Sequence, residues 1–153
     1  MLAAATRTMS VLLVDDDPGD VLMIEEALES VGAPRRVYVA HDGEEAVAFL
    51  RRTGDFEDAP RPDVVLLDLN MPRMDGRQVL AEIKNDPELR SIPIVVLTTS
   101  QAPTDILSSY SLHANAYVTK PMNLDGLTEV VRRIDYFYAK IAALPGRRPI
   151  REE

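Results

Sequence analysis

This sequence predicts an α/β fold: a doubly wound parallel sheet with helices on both faces. Three observations predict it. Five short apolar runs recur at residues 11–14, 37–40, 64–69, 94–98 and 116–118. Between them lie stretches with apolar residues at helical spacing, so strand and helix alternate strictly, as they do when crossover helices join parallel strands. Three of the runs are continuous rather than alternating, as in Val64, Val65, Leu66 and Leu67. Strands buried on both faces have this composition.

Taken in order, residues 1–10 read as a frayed leader, with residues 1–8 outside the domain and Met9 an alternative start. They lack the basic start and long apolar middle of a secretory signal. After the first strand, Val21, Ile24, Leu28 and Val31 make one apolar stripe. Asp17 suits the N-cap of that helix, Pro18 its first position and Gly32 its C-terminal end. Asp42 opens the second helix, with Glu44 and Glu45 near the positive end of its dipole. Residues 52–62 are a polar loop. Asp75 opens the third helix, which stops before Pro87, and Pro103 sits near the start of the fourth. Asn123 caps the fifth helix, where Leu127, Val130, Val131, Ile134, Phe137 and Ile141 share one side and the helix runs to about Ala143. The expected domain is 9–144, followed by a flexible tail, 145–153, with no room for a DNA-binding or catalytic output domain.

The composition narrows the chemistry. The chain has 153 residues, no Cys and a formal charge of −8. Disulfides, thiolate metal sites and Cys nucleophiles are thereby excluded. An acidic surface is unsuited to gripping nucleic acid phosphates, and no apolar run approaches a membrane span. A cytoplasmic protein is expected.

Open parallel sheets bind ligands beyond the C-terminal ends of their strands, and the residues at those ends are informative. The first strand leads into Asp15, Asp16 and Asp17, and the third into Asp68 with Asn70 two residues on. The fourth ends in Thr98, and the fifth is followed by Lys120 and Pro121. Clustered acids repel one another and call for a counter-charge. Mg²⁺ supplies one: it takes oxygen ligands and keeps waters. Asp16 and Asp68 could coordinate it directly, Asp15 through a water, and a backbone carbonyl near Asn70 could add a ligand. Lys120 is a point charge suited to a phosphoryl group. Asp68 is then a carboxylate nucleophile, and Thr98 could donate its hydroxyl to a transferred oxygen. Each residue alone has a plainer reading: a turn or cap Asp, a surface Lys, a strand Thr. Their coincidence at matched strand ends favours phosphoryl chemistry.

Together these segments resemble the receiver domain of two-component response regulators. The resemblance is carried by VLLVDDD at 11–17, PDVVLLDLNMP at 62–72, MDG at 74–76, IVVLT at 94–98 and YVTKP at 117–121, and it covers about residues 9–142. It implies a flavodoxin-like sheet of strand order 2-1-3-4-5 with five helices. It also implies that Asp68 is the phosphoacceptor, Asp15 and Asp16 the acidic pair, and Lys120 the phosphate-pairing lysine, followed by a cis bond to Pro121. Thr98 and Tyr117 would be the switch pair. DPGD at 17–20, FLRRTGDF at 49–56, LHANAY at 112–117 and the long last helix through YFY at 136–138 to Leu144 and Pro145 resemble single-domain regulators paired with phytochrome-type histidine kinases.

Two other classes compete. A phosphatase of the haloacid-dehalogenase type needs a second Asp two residues after its nucleophile as general acid, and Asn70 occupies that position. A flavin carrier would place a phosphate loop after the first strand, where three acids would repel it. A phosphate sink in a phosphorelay remains a variant of the receiver reading. His41 and His113 read as surface or boundary residues rather than phosphodonors. Tyr110, Tyr117, Tyr136 and Tyr138 form the expected contact surface of a two-fold homodimer.

Overall fold

The computed structural model describes residues 8–30 and 35–145. Five strands, β1 (Met9–Val14), β2 (Arg35–Ala40), β3 (Val64–Leu67), β4 (Ile94–Thr98) and β5 (Ala116–Thr119), form one parallel sheet in the order β2-β1-β3-β4-β5. The helices are α1 (Pro18–Glu29), α2 (Gly43–Arg51), α3 (Gly76–Lys84), α4 (Pro103–Ser111) and α5 (Leu124–Tyr136). A 3₁₀ turn, Gly54–Phe56, interrupts the polar loop after α2.

Alternate strand residues face opposite layers. Val11, Leu13, Val64, Leu66, Val95 and Leu97 pack with Ile24 and Leu28 of α1 and Leu127 and Val131 of α5. Leu12, Val14, Val65, Leu67, Ile94 and Val96 pack with Val47 and Leu50 of α2 and Val79, Leu80 and Ile83 of α3. Because both faces are covered, the central strands are apolar throughout. The direction of strand addition reverses between β1 and β3, which opens a crevice at their C-terminal ends.

The helix starts follow local chemistry. Asp17, Asp42, Asp75 and Asn123 accept hydrogen bonds from first-turn amides of α1, α2, α3 and α5. Asp75 and Gln78 complete a capping box. Asp42 also accepts from Arg73, whose backbone is left-handed (φ 64) in the loop between β3 and α3. That loop lies so close to α2 that a Cβ on Gly43 would sit 2.1 Å from the Met74 carbonyl oxygen.

Several sequence expectations are corrected. Met9 and Ser10 do not fray: they belong to β1, where Ser10 N–H donates to Asp63 Oδ2 at 2.8 Å and Ser10 O accepts from Asp63 N at 2.8 Å. β3 ends at Leu67, two residues early, because the Leu69 carbonyl accepts from Gly76 N at 2.8 Å and has left the sheet. Val31 and Gly32 lie outside the described residues, as does most of each expected terminal segment. After Tyr136 the last helix continues as a π-helical turn, Phe137–Ile141, with Ala142 N donating to Phe137 O at 2.8 Å. Widening the turn rotates the faces. Tyr138 and Ala139 pack on the core, whereas Phe137 and Ile141, expected to continue the apolar stripe, are 47 % and 62 % exposed.

Asp42→Ala should cost about 1 kcal/mol through the lost cap alone. The Arg73 guanidinium, helped by the Glu45 amide, holds the Asp42 carboxyl below the usual carboxylate range. That contribution is complete above the unfolded-state value of about 3.9 and is lost as pH falls through the lower folded-state value. Urea unfolding should therefore separate wild type from variant at neutral pH, and the gap should close in acid.

Candidate functional site

The crevice is built from strand ends. Asp15 continues β1, with its amide donating to Ala40 O at 3.1 Å and its carboxylate accepting from Asp17 N at 2.9 Å. Asp15 is fully buried, Asp16 is exposed, and Asp17 is spent on the α1 cap. Asp68 follows β3, its amide donating to Val14 O at 2.9 Å. The N-terminus of α3 presses on it: a Cβ on Gly76 would lie 2.4 Å from the Asp68 carbonyl oxygen, so only glycine lets the helix start there. Lys120 follows β5, its amide donating to Thr98 O at 2.7 Å, and its side chain runs buried into the crevice.

There Lys120 Nζ donates to Asp15 Oδ2 at 2.7 Å, to Asp20 Oδ2 at 2.8 Å and, at longer range, to Asp68 Oδ2 at 3.4 Å. Burial by itself lowers the Lys120 pKa. The hydrogen bonds to Asp15 and Asp20, with the charges of Asp68 and Asp15, outweigh it and hold the ammonium charged well above its ordinary value. Burial pushes the Asp15 carboxyl up, against the pull of Lys120. One cation thus faces more negative charge than it can balance. Asp15, Asp16 and Asp68 each offer a carboxylate oxygen, all within 4.8 Å of one another. This all-oxygen set suits a hard divalent cation and no soft metal.

The expected residues therefore meet, with differences. Asn70 is exposed, and its amide lies 3.4 Å from Asp68 Oδ1. Thr98 is fully buried and its Oγ1 has no hydrogen-bond partner. An orphaned buried hydroxyl is costly, and here it belongs to the last residue of β4. Tyr117 is partly buried; its hydroxyl donates to Ser100 O at 2.9 Å, and its amide to the Tyr110 hydroxyl at 3.2 Å. Ser100 Oγ donates to Asp105, which also accepts from Arg77, so α3, α4 and the loop after β4 share one polar cluster.

The expected cis bond before Pro121 is corrected. No peptide bond among the described residues is cis, and Lys120–Pro121 is trans. The two isomers of an X-Pro bond differ by only about 0.5–1 kcal/mol, so local sequence does not decide between them. Sequence reasoning missed Asp20 as a partner of Lys120. Its place in the first turn of α1, next to the acidic run, was the available signal, but a first-turn acid also reads as a response to the helix dipole. Of the expected dimer tyrosines, Tyr136 and Tyr110 are exposed, whereas Tyr138 turns to the core. His41 is exposed and pairs with Glu45, and His113 sits at a left-handed turn (φ 75).

Comparison with known proteins agrees with this geometry. The family model for the response regulator receiver domain matches residues 11–132. Response regulator Rcp1 of Synechocystis sp. is 44% identical over 135 residues, spanning 88% of this chain and 92% of Rcp1. Among solved structures, the phosphorylated cyanobacterial phytochrome response regulator RcpA superposes with a TM-score of 0.89 at 47% identity, over 92% of this chain and 100% of RcpA. The Mn²⁺-bound form of Rcp1 superposes with a TM-score of 0.86 at 43% identity, over 90% of this chain and 99% of that one. No helix among the described residues is long and apolar enough to cross a membrane.

A cation that binds only the folded state raises stability with its concentration. Millimolar Mg²⁺ or Mn²⁺ should raise the thermal midpoint of the wild type, and Asp16→Asn should abolish most of that rise without lowering the midpoint in chelator. Differential scanning fluorimetry across a metal titration measures both.

Proposed function

This chain belongs to the response regulator receiver family, and on that premise we propose that Asp68 takes a phosphoryl group from a sensor histidine kinase of phytochrome type. The observation that carries this is the Asp68 carboxylate at the β1/β3 crevice, 3.4 Å from a buried ammonium and beside two further acids. Asp68 Oδ attacks the phosphorus of the donor phosphohistidine. The O–P bond forms as the P–N bond breaks, and the bonding pair returns to the imidazole nitrogen. Lys120 offsets charge on the transferring oxygens. Asp16 and Asp68, with Asp15 through a water and a carbonyl near Asn70, would hold Mg²⁺, which supplies the remaining counter-charge when bound.

The product signals by a shift between two states. Thr98 Oγ1, which lacks a partner, gains one in a phosphoryl oxygen, and Tyr117 moves further inward behind it. The protein acts as a phosphoacceptor and turns over no external phosphoester, since Asn70 stands where a phosphatase of the haloacid-dehalogenase type needs a proton donor. It works in the cytoplasm and delivers its signal through protein contacts.

The face of α4, β5 and α5 is the contact surface of a two-fold dimer. Leu107 and Tyr110 of α4, Tyr136 of α5, and Phe137 and Ile141 of the π-helical turn that follows are exposed. Aromatic side chains of this kind anchor interfaces.

Two outcomes are expected. Acetyl phosphate with Mg²⁺ should add one phosphoryl group to the wild type and none to Asp68→Asn, whose circular dichroism stays native. Mass spectrometry of the intact chain and a peptide map locate the adduct, and an adduct of undiminished yield on the variant would overturn the assignment. Light scattering at high micromolar concentration should give a dimer mass for the wild type and a lower average mass for Tyr136→Ala/Phe137→Ala. A wild-type monomer, with and without phosphorylation, would remove the dimer.

A further inference from the structure

Asp20 is the third residue of α1. The Asp17 cap fixes it there, accepting from Gly19 N at 2.9 Å and Asp20 N at 3.4 Å. An acid in a first helical turn ordinarily answers the dipole of its own helix. This one instead spans 100 residues of sequence to meet Lys120 Nζ at 2.8 Å. It is not one of the three acids whose oxygens converge for a cation, Asp15, Asp16 and Asp68.

An ammonium has three N–H donors. Lys120 spends two on short contacts, to Asp15 and Asp20, and reaches Asp68 only at 3.4 Å. The third N–H is directed at Asp68 from this longer distance, and drawing the ammonium closer to a phosphoryl group there lengthens one of the short contacts. The Asp15 side chain is 1 % exposed and keeps only the Asp17 amide as a protein partner, so releasing it is the costlier choice. The Asp20 side chain is 22 % exposed and can be rehydrated as the ammonium leaves. The exchange therefore runs through Asp20.

We propose that Asp20 is a positioning residue for phosphoryl transfer, which holds Lys120 back in the unphosphorylated protein and is the contact Lys120 surrenders to reach the phosphoryl group. The inference rests on the reading of Asp68 as phosphoacceptor. Asp20→Asn keeps the size of the side chain and its acceptor oxygen but removes the charge, so Lys120 is released more cheaply. Asp20→Glu keeps the charge on a longer arm.

The test uses the full chain, acetyl phosphate as donor and saturating Mg²⁺. Asp20→Asn should take the phosphoryl group about fivefold faster than wild type, the scale of a partly exposed ion pair. Asp20→Glu should return most of the wild-type rate, because the charge that holds Lys120 is kept. Lysine-¹⁵N labelling gives a second readout, because Lys84, Lys120 and Lys140 are the only lysines in the chain. The Lys120 ammonium signal should shift, and its protons exchange faster with water, in Asp20→Asn, with Lys84 and Lys140 unchanged. A wild type that is phosphorylated, with an Asp20→Asn rate that is equal or slower, overturns the role of Asp20 and leaves the phosphoacceptor reading standing. A wild type that takes no phosphoryl group on Asp68 overturns both.

Discussion

The site depends on one ammonium shared among carboxylates. Lys120 donates to Asp15 from the end of β1, Asp20 from the first turn of α1 and Asp68 from the end of β3. Like charges at this spacing repel, and burial adds a desolvation cost to each. The lysine offsets enough of both to let the acids stand together. It leaves a surplus of negative charge, and that surplus is what makes the crevice attract a hard cation. A cation held there would, with Lys120, offset the charge of an incoming phosphoryl group.

The sheet makes this arrangement possible. Covering both faces leaves the strand ends as the place where polar side chains can gather, and the reversal of strand order between β1 and β3 separates the helices that would otherwise close over them. Close approaches then set the loops: Gly76 against the Asp68 carbonyl, and Gly43 against the Met74 carbonyl. A side chain at either position would push the third strand-end loop away from the acids. On the far side of the site, α4 is held differently. Only Ser109 of that helix is buried, its hydroxyl is unpartnered, and no side chain caps its start. A helix seated by few apolar contacts can move at low cost, and it follows β4, whose last residue, Thr98, also has a buried hydroxyl without a partner.

Much of this was legible in the sequence because it is governed by short-range rules. An Asp or Asn before an apolar periodic run caps a helix wherever it occurs, and four of the five starts follow from that. Continuous apolar runs identify buried strands by composition alone. The ends of elements were harder to place. Leu69 is as apolar as Leu67, and only the hydrogen bond from Gly76 takes it out of the sheet. Phe137 and Ile141 fit an α-helical stripe, but a single π-helical turn rotates them outward and brings Tyr138 in. Periodicity read from sequence assumes a constant twist, and it fails where the backbone changes pitch.

By itself the sequence determined the fold class, the caps and the identity of the acids, lysine and threonine at the strand ends, because these follow from local propensity and from the rule that parallel strands present their C-terminal ends to ligands. Only the tertiary structure decided which carboxylates Lys120 holds, that Asp20 is among them, that the bond before Pro121 is trans, and that Thr98 keeps a buried hydroxyl without a partner. The Lys120 contacts are set by distances of 2.7 and 2.8 Å between residues 105 and 100 positions apart in the chain. Electrostatic energies in a buried site vary steeply over such distances, and no local pattern encodes them.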